Sequence, residues 1–266
     1  AFAVARLGGS ATFVGRIGDD DYGKKVTASL RNAGVNTDYL VVDPDTQTGL
    51  ALMPIEPGTG RYVCYVAMGG NDRLCPEDVK KAMDAQAFDM VLMQLEMPLE
   101  TIYGTIELAK ERHIPVFLDA GPAIDISLER LKGLFIISPN EAETFGLTGI
   151  CPDTDANAFK AARLLYEKTA PTYVILKLGD RGILLYDGKE SLRIPCFKVD
   201  AVDSTAAGDT FGAALAISLC KGLSMMDAIR YAQAAAGICV SRTGAQSSIP
   251  TPEEICRFLD SHPNLN

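Results

Sequence analysis

The chain has no excess of basic residues, no C-x-x-C pair and only two histidines. Its 25 Lys and Arg face 34 Asp and Glu, for a net charge of −9. That balance speaks against a nucleic-acid or anionic-membrane partner, which needs a basic face. It does not speak against a nucleotide, whose phosphates are held locally by N–H groups and metal. The seven cysteines (64, 75, 151, 196, 220, 239 and 256) are odd in number and carry no metal-ligand spacing. Neither a zinc site nor a disulfide framework follows, and reduced thiols in a cytosol are the expected state. No run reaches about 18 apolar residues, and no charged-then-apolar leader opens the chain. The expected location is therefore cytoplasmic. No G-x-G-x-x-G follows an apolar strand, which argues against a dinucleotide-binding dehydrogenase. His113 and His262 stand too far from any motif to be nominated as bases.

What is present centres on one stretch, Val202-Asp203-Ser204-Thr205-Ala206-Ala207-Gly208-Asp209-Thr210-Phe211-Gly212, followed by a small, apolar run. Small residues opening such a run read as the first turn of a buried helix. The first four N–H groups of a helix have no intrahelical partner, and they attract anions. Ala206, Ala207 and Gly208 have almost no side chain, so a phosphate could approach those groups closely. Asp209 follows the anion seat, where a carboxylate could take a proton from an attacking hydroxyl. The alternative is a helix capped by Asp203 or Ser204 and packed through small residues. Residues alone leave both open.

The stretch from Asp203 to Phe211 resembles the D-T-x-A-A-G-D-x-F signature of the ribokinase-like (PfkB-type) sugar kinases. The resemblance implies a three-layer α/β/α sandwich of ribokinase type, with a mostly parallel sheet and a small β lid. It implies one domain over 1–266, with 48–67 as a lid hairpin, Ala206, Ala207 and Gly208 as an anion hole, and Asp209 as catalytic base. It also expects a first strand with a sugar-binding Asp, lid strands and a G-G-x-x-x-N turn ahead of Ala1, none of which appears in the chain.

Along the chain, Ala1–Leu7 reads as helix and Ala11–Ile17 as strand. Gly18–Lys25 nearly spells a phosphate-binding P-loop, but Lys25 stands where a Ser or Thr should bind magnesium, and three Asp would face the phosphates. A G-D-D turn capping a helix over about 21–33 is the better reading. Thr48–Ile55 and Arg61–Ala67 read as a hairpin joined by Glu56-Pro57-Gly58-Thr59-Gly60. Helices are expected near 76–86, 99–112, 155–169, 206–221, 224–242 and 251–260. Strands are expected near 89–94, 114–119, 134–138, 172–178 and 181–186. This alternation of helices with apolar strands argues a parallel sheet covered on both faces, with ligands beyond the strand C-termini.

The strand ends therefore matter most. Gln94-Leu95-Glu96 closes one strand, and the resemblance makes Glu96 a sugar-hydroxyl ligand; otherwise it is a charge at a helix start. Asp119-Ala120-Gly121-Pro122 resembles a turn lining the family's site. Pro139-Asn140-Glu141-Ala142-Glu143 resembles P-N-x-x-E, which implies Asn140 at ATP and Glu143 at Mg²⁺ through water, magnesium retaining several waters in such sites. The same spacing also makes a capping box, with Asn140 as N-cap and Glu143 at N3. Lys177, Gly179, Asp180 and Gly182 resemble the loop along ATP, and Gln233 a residue of the adenine wall. Ser241–Ser248 resembles the segment that helps hold a monovalent cation. The implied ligands for K⁺ are Asp203, Thr205, Cys239, Arg242, Gly244 and Ser248, mostly through carbonyls; the alternative is a helix C-cap at Gly244.

The expected function is ATP- and Mg²⁺-dependent phosphorylation of a sugar, with Gly69-Gly70-Asn71 and Ser247–Pro250 pointing to ribose. Fructose, 2-keto-3-deoxygluconate or a nucleoside remain open, as does a non-catalytic nucleotide-binding protein. The implied assembly is a homodimer through the lid.

Overall fold

The computed structural model describes residues 1–52 and 65–262. Helix α1 (Phe2–Arg6) leads to β1 (Thr12–Gly18), α2 (Asp21–Asn32) and β2 (Asn36–Asp43), with β1 and β2 paired in parallel. Asp20 starts α2: its carboxylate accepts from Gly23 N–H, Thr48 N–H and the Thr48 hydroxyl. The G-D-D turn is thus a helix cap that also ties the chain at Thr48, and the P-loop reading falls.

Strands β3 (Leu50–Leu52) and β4 (Tyr65–Ala67) form the expected antiparallel hairpin. Its expected connection, Glu56–Gly60, lies outside the described residues. A 3₁₀ turn, Gly69–Arg73, follows and packs on β1. A Cβ at Gly70 would collide with the Arg16 carbonyl, so only glycine permits this approach.

From α3 (Pro76–Ala85) the chain alternates through β5 (Val91–Met93), α4 (Leu99–Glu111), β6 (Val116–Leu118), β7 (Ile136–Ile137), α5 (Glu141–Thr148), α6 (Asp155–Thr169) and β8 (Tyr173–Lys177). Then β9 (Ile183–Tyr186) and β10 (Ser191–Ile194) turn back antiparallel, before α7 (Ala207–Cys220), α8 (Met225–Val240) and α9 (Pro252–Ser261). The six-stranded sheet runs β10-β9-β8-β7-β6-β5, with β5 to β8 parallel. The β1–β2 pair forms a sheet of its own. Between β1 and β5 lies a largely apolar cavity of about 450 Å³.

Alternate residues of each central strand face opposite cores, as the period of two demands. Leu118, Ile137 and Val174 join Ile102, Ile106 and Leu165 on the α3, α4 and α6 side. Phe117, Ile136 and Ile175 join Leu7, Leu215 and Ile229 on the α1, α7 and α8 side. Helix α7 is apolar all round, with every residue from Thr210 to Ser218 buried, which makes it an interior helix. A Cβ added at Gly212 would meet Phe117 at 3.7 Å and Leu92 at 3.9 Å. The first turns of α7 therefore rest directly on β5 and β6. Among the described residues, no helix is long and apolar enough to cross a membrane.

One polar network joins the β1–β2 unit to α3. Asp78, only 2% exposed, accepts from Arg16 Nε at 2.6 Å and from Cys75 N–H at 3.3 Å. Asp43 reaches Arg16 at 3.5 Å and Arg73 at 3.2 Å. Burial works against the charged form of Asp78, but the bonds from Arg16 and Cys75 outweigh it and hold its pKa below the usual range. Stability from this carboxylate is present above the unfolded-state pKa and is lost as pH falls through the lowered folded value. Asp78→Ala should cost about 3 kcal/mol, as expected for stranding one partner of a buried pair. Denaturant unfolding should show that difference at neutral pH and a smaller one in acid.

Candidate active site

The C-terminal ends of β5, β6, β7 and β8 share one edge of the sheet, and backbone bonds lace them together beyond the strands. Asp119 N–H donates to Met93 O at 2.9 Å, Leu95 N–H to Gly121 O at 2.8 Å, and Lys177 N–H to Pro139 O at 2.9 Å. Gln94, Asp119, Asn140 and Lys177 are thereby fixed along one line.

Helix α7 begins over this edge. Neither Asp203 nor Ser204 caps it: the N-cap is Ala206, in the left-handed region at φ +61°, with no side-chain cap bond. That conformation costs a non-glycine residue about 1–2 kcal/mol. Ala207 N–H donates to Ser204 O at 3.2 Å. The N–H groups of Ala206, Gly208 and Asp209 are left without a protein acceptor among the described residues. Asp203 is used elsewhere, accepting from Thr205 N–H and Gly244 N–H, each at 2.9 Å. The Thr205 side chain first, then the Gly244 and Thr205 N–H groups, hold its carboxyl below the usual range.

Asp209 opens toward the cavity, and its Oδ1 accepts from Gln94 Nε2 at 3.1 Å. Glu96 stands near enough to feel its charge; desolvation first, then Asp209, raises the Glu96 pKa. Asp119 pairs with Lys177, the two side chains being 12% and 15% exposed. A Cβ added at Gly208 would lie 3.6 Å from Lys177 Nζ and 3.7 Å from Asp119 Oδ2, so this pair adjoins the anion turn. Lys177 is thus no free cation beside phosphates, and Asp119 shares it. Sequence reasoning noted the Asp119 turn but nominated neither Asp119 nor Gln94. An acidic residue and an amide at the ends of adjacent strands were the available signal.

Asn140 and Glu143 form the expected capping box: Glu143 N–H donates to Asn140 Oδ1 at 2.9 Å, and Asn140 N–H to Glu143 Oε2 at 2.7 Å. Desolvation raises the Glu143 pKa and Asp119 adds to it, while Lys177 and the Asn140 N–H oppose the shift. Gly179 and Gly182 carry φ of +57° and +82°, and Leu178 N–H closes their loop onto Gly182 O at 2.8 Å. Asp180 is exposed on that loop. Gln233 is buried in α8, and its Nε2 has no partner among the described residues.

The residues implied for a monovalent cation gather around Asp203. Cys239 Sγ lies 3.1 Å from Ser248 Oγ and donates to Thr205 O at 3.6 Å. The Arg242 guanidinium turns away to Glu254 at 2.6 Å, while its N–H donates to Cys239 O. Gly244, at φ +98°, is not the C-cap of α8; that position is Ser241.

With this geometry in place, the comparisons decide the family. Residues 1–252 match the pfkB family of carbohydrate kinases. The chain belongs to that family. Haemophilus influenzae ribokinase is 37% identical over 262 residues, covering 98% of this chain and 85% of the relative. The solved structure of Thermotoga maritima ribokinase superposes with a TM-score of 0.85 at 36% identity, covering 98% of this chain and 85% of that one. That of Arabidopsis thaliana ribokinase, complexed with ribose and ATP, gives 0.88 at 30% identity, covering 97% and 85%. The layered pfkB-type fold expected from the signature is therefore the observed one.

Within this pfkB kinase, Gly121 is a sharp probe. A Cβ there would collide with the Glu143 carboxylate, the end of a movable side chain. Gly121→Ala should displace Glu143 while leaving the fold intact. With Glu143 in the Mg²⁺ role that the resemblance implies, the expected result is a severalfold rise in the Mg²⁺ concentration for half-maximal activity, with a small drop in thermal midpoint from the weakened α5 cap.

Proposed function

We propose that the chain transfers the γ-phosphoryl group of ATP to the primary hydroxyl of ribose. The observation that carries this reading is an uncapped helix N-terminus with a carboxylate, Asp209, in its own first turn, at the C-terminal edge of the sheet. Phosphoryl transfer asks for positioning and charge stabilisation rather than covalent chemistry from the protein. Asp209 accepts the proton of the sugar hydroxyl as its oxygen attacks the γ-phosphorus. The bond to the β,γ-bridging oxygen breaks, and ADP leaves with the electron pair. The N–H groups of Ala206, Gly208 and Asp209, with Ala207 shaping the turn, hold the phosphoryl oxygens.

Asn140, Lys177, Gly179, Asp180 and Gly182 line the path of the nucleotide, and the unpartnered amide of Gln233 serves the base. Glu96 accepts a sugar hydroxyl beside Asp209. Glu143 suits Mg²⁺: one carboxylate oxygen is bonded to Asn140 and the other faces Gly121, so contact through water fits. Magnesium supplies charge neutralisation at the phosphates. K⁺ would be held by Asp203, Thr205, Cys239, Arg242, Gly244 and Ser248, mostly through main-chain carbonyls, and would serve to order the anion turn. Ribose is favoured by Gly69-Gly70-Asn71, by Ser247–Pro250 and by relatives that are ribokinases, one of them bound to ribose and ATP. Exposed Leu50, Leu52, Tyr65 and Val66 on the β3–β4 hairpin suit a homodimer through the lid, and free thiols suit a cytoplasmic setting.

A panel of sugars with ATP and Mg²⁺ tests the reading: ADP release should require one sugar, ribose, and a non-catalytic binding protein would release none. Asp209→Asn should lower kcat by about 10²–10⁴-fold with little change in ATP affinity. Near-normal turnover would remove Asp209 as the base. Potassium should raise kcat above its value in sodium or lithium, whereas equal rates in all three salts would remove the cation.

A further inference from the structure

Asp209 is ideally placed for a base only if its carboxylate is held still. Its helix does little for that: the carboxylate projects from an uncapped turn into an open cavity. Among the described residues, the one hydrogen bond the Asp209 side chain makes comes from Gln94 Nε2, at 3.1 Å to Oδ1. A carboxylate is acceptor-only, so the Gln94 amide must present its NH₂ group. Gln94 is well fixed for this task. It follows β5 directly, between Met93 and Leu95, which are 6% and 3% exposed. Both neighbours are pinned to the β6 end, Met93 O by Asp119 N–H at 2.9 Å and Leu95 N–H to Gly121 O at 2.8 Å.

We infer that Gln94 is the positioning residue for Asp209, holding Oδ1 so that Oδ2 is directed at the sugar hydroxyl. The inference rests on Asp209 being the base. Gln94 contacts no reacting atom in this account; it reduces the conformations the base must give up at the transition state. Orientation of this kind is a large part of what a site supplies, and hydrogen bonds to charged groups are the stronger ones. The strand end fixes the Gln94 backbone opposite the first turn of α7.

A double-mutant cycle tests it. Gln94→Met keeps the length and removes the donor; Gln94→Glu keeps the shape and sets a second carboxylate against Asp209. Gln94→Met should lower kcat about tenfold. KM for ATP and the thermal midpoint should stay as they are, and Gln94→Glu should lose more. In an Asp209→Ala background, Gln94→Met should have no further effect on kcat, because the group it positions is gone. Three results would overturn the inference: wild-type kcat in Gln94→Met, an equal loss in both backgrounds, or a rise in KM for the sugar with kcat intact. The last would make Gln94 a substrate contact. If Asp209→Ala itself kept near-normal turnover, the base assignment would fail first, and the role of Gln94 with it.

Discussion

The carboxylate of Asp203 decides what the start of α7 can do. An aspartate just ahead of a helix can cap it, satisfying orphan N–H groups, but Asp203 lies four positions before Ala207, where α7 begins. Here both oxygens are committed, to Thr205 and to Gly244. The two loops are tied together, Ala206 lies in the left-handed region, and the first turn of α7 faces the cavity without a side-chain cap. The strain at Ala206 and the unsatisfied donors are the same feature seen twice. Each is tolerated because α7 is buried from Thr210 to Ser218, immediately after that turn.

Around that turn the charges are arranged unequally. Asp209, Glu96, Asp119 and Glu143 all approach the strand ends, and Lys177 lies among them. Burial makes the charged forms of Glu96 and Glu143 costly, and neighbouring carboxylates add to this. Such a site is short of positive charge, and backbone N–H groups supply part of the deficit. Magnesium arriving with ATP would relieve the rest. The shared Lys177 makes the same point: its charge is already half spent on Asp119, so phosphates entering there compete with a carboxylate for it.

The parts of this site that could be read from the sequence are those written within a few residues. The Asn140–Glu143 spacing is a helix start whichever function it serves, and the capping box is the part the structure shows. Most helices and the central strands followed from apolar period and length, while α5 was signalled only by its capped start. Other features depend on residues far apart, and no local pattern carries them. Gln94 meets Asp209 across 115 positions, Lys177 meets Asp119 across 58, and Arg16 meets Asp78 across 62. The edge strand β10, with exposed Leu192 and a short run, lacked the apolar density of the others. The true N-cap of α7 was missed because Asp203 and Ser204 have the right chemistry for it, and only the tertiary tie to Gly244 withdraws Asp203.

The most direct measurement is a crystal structure of the protein with ADP, ribose and a planar metal fluoride that mimics the transferring phosphoryl group. The mimic should sit on the N–H groups of Gly208 and Asp209, with Asp209 Oδ2 in hydrogen-bond contact with the primary hydroxyl of ribose. A mimic bound elsewhere, or a ribose hydroxyl in line with it but out of reach of Asp209, would contradict the account.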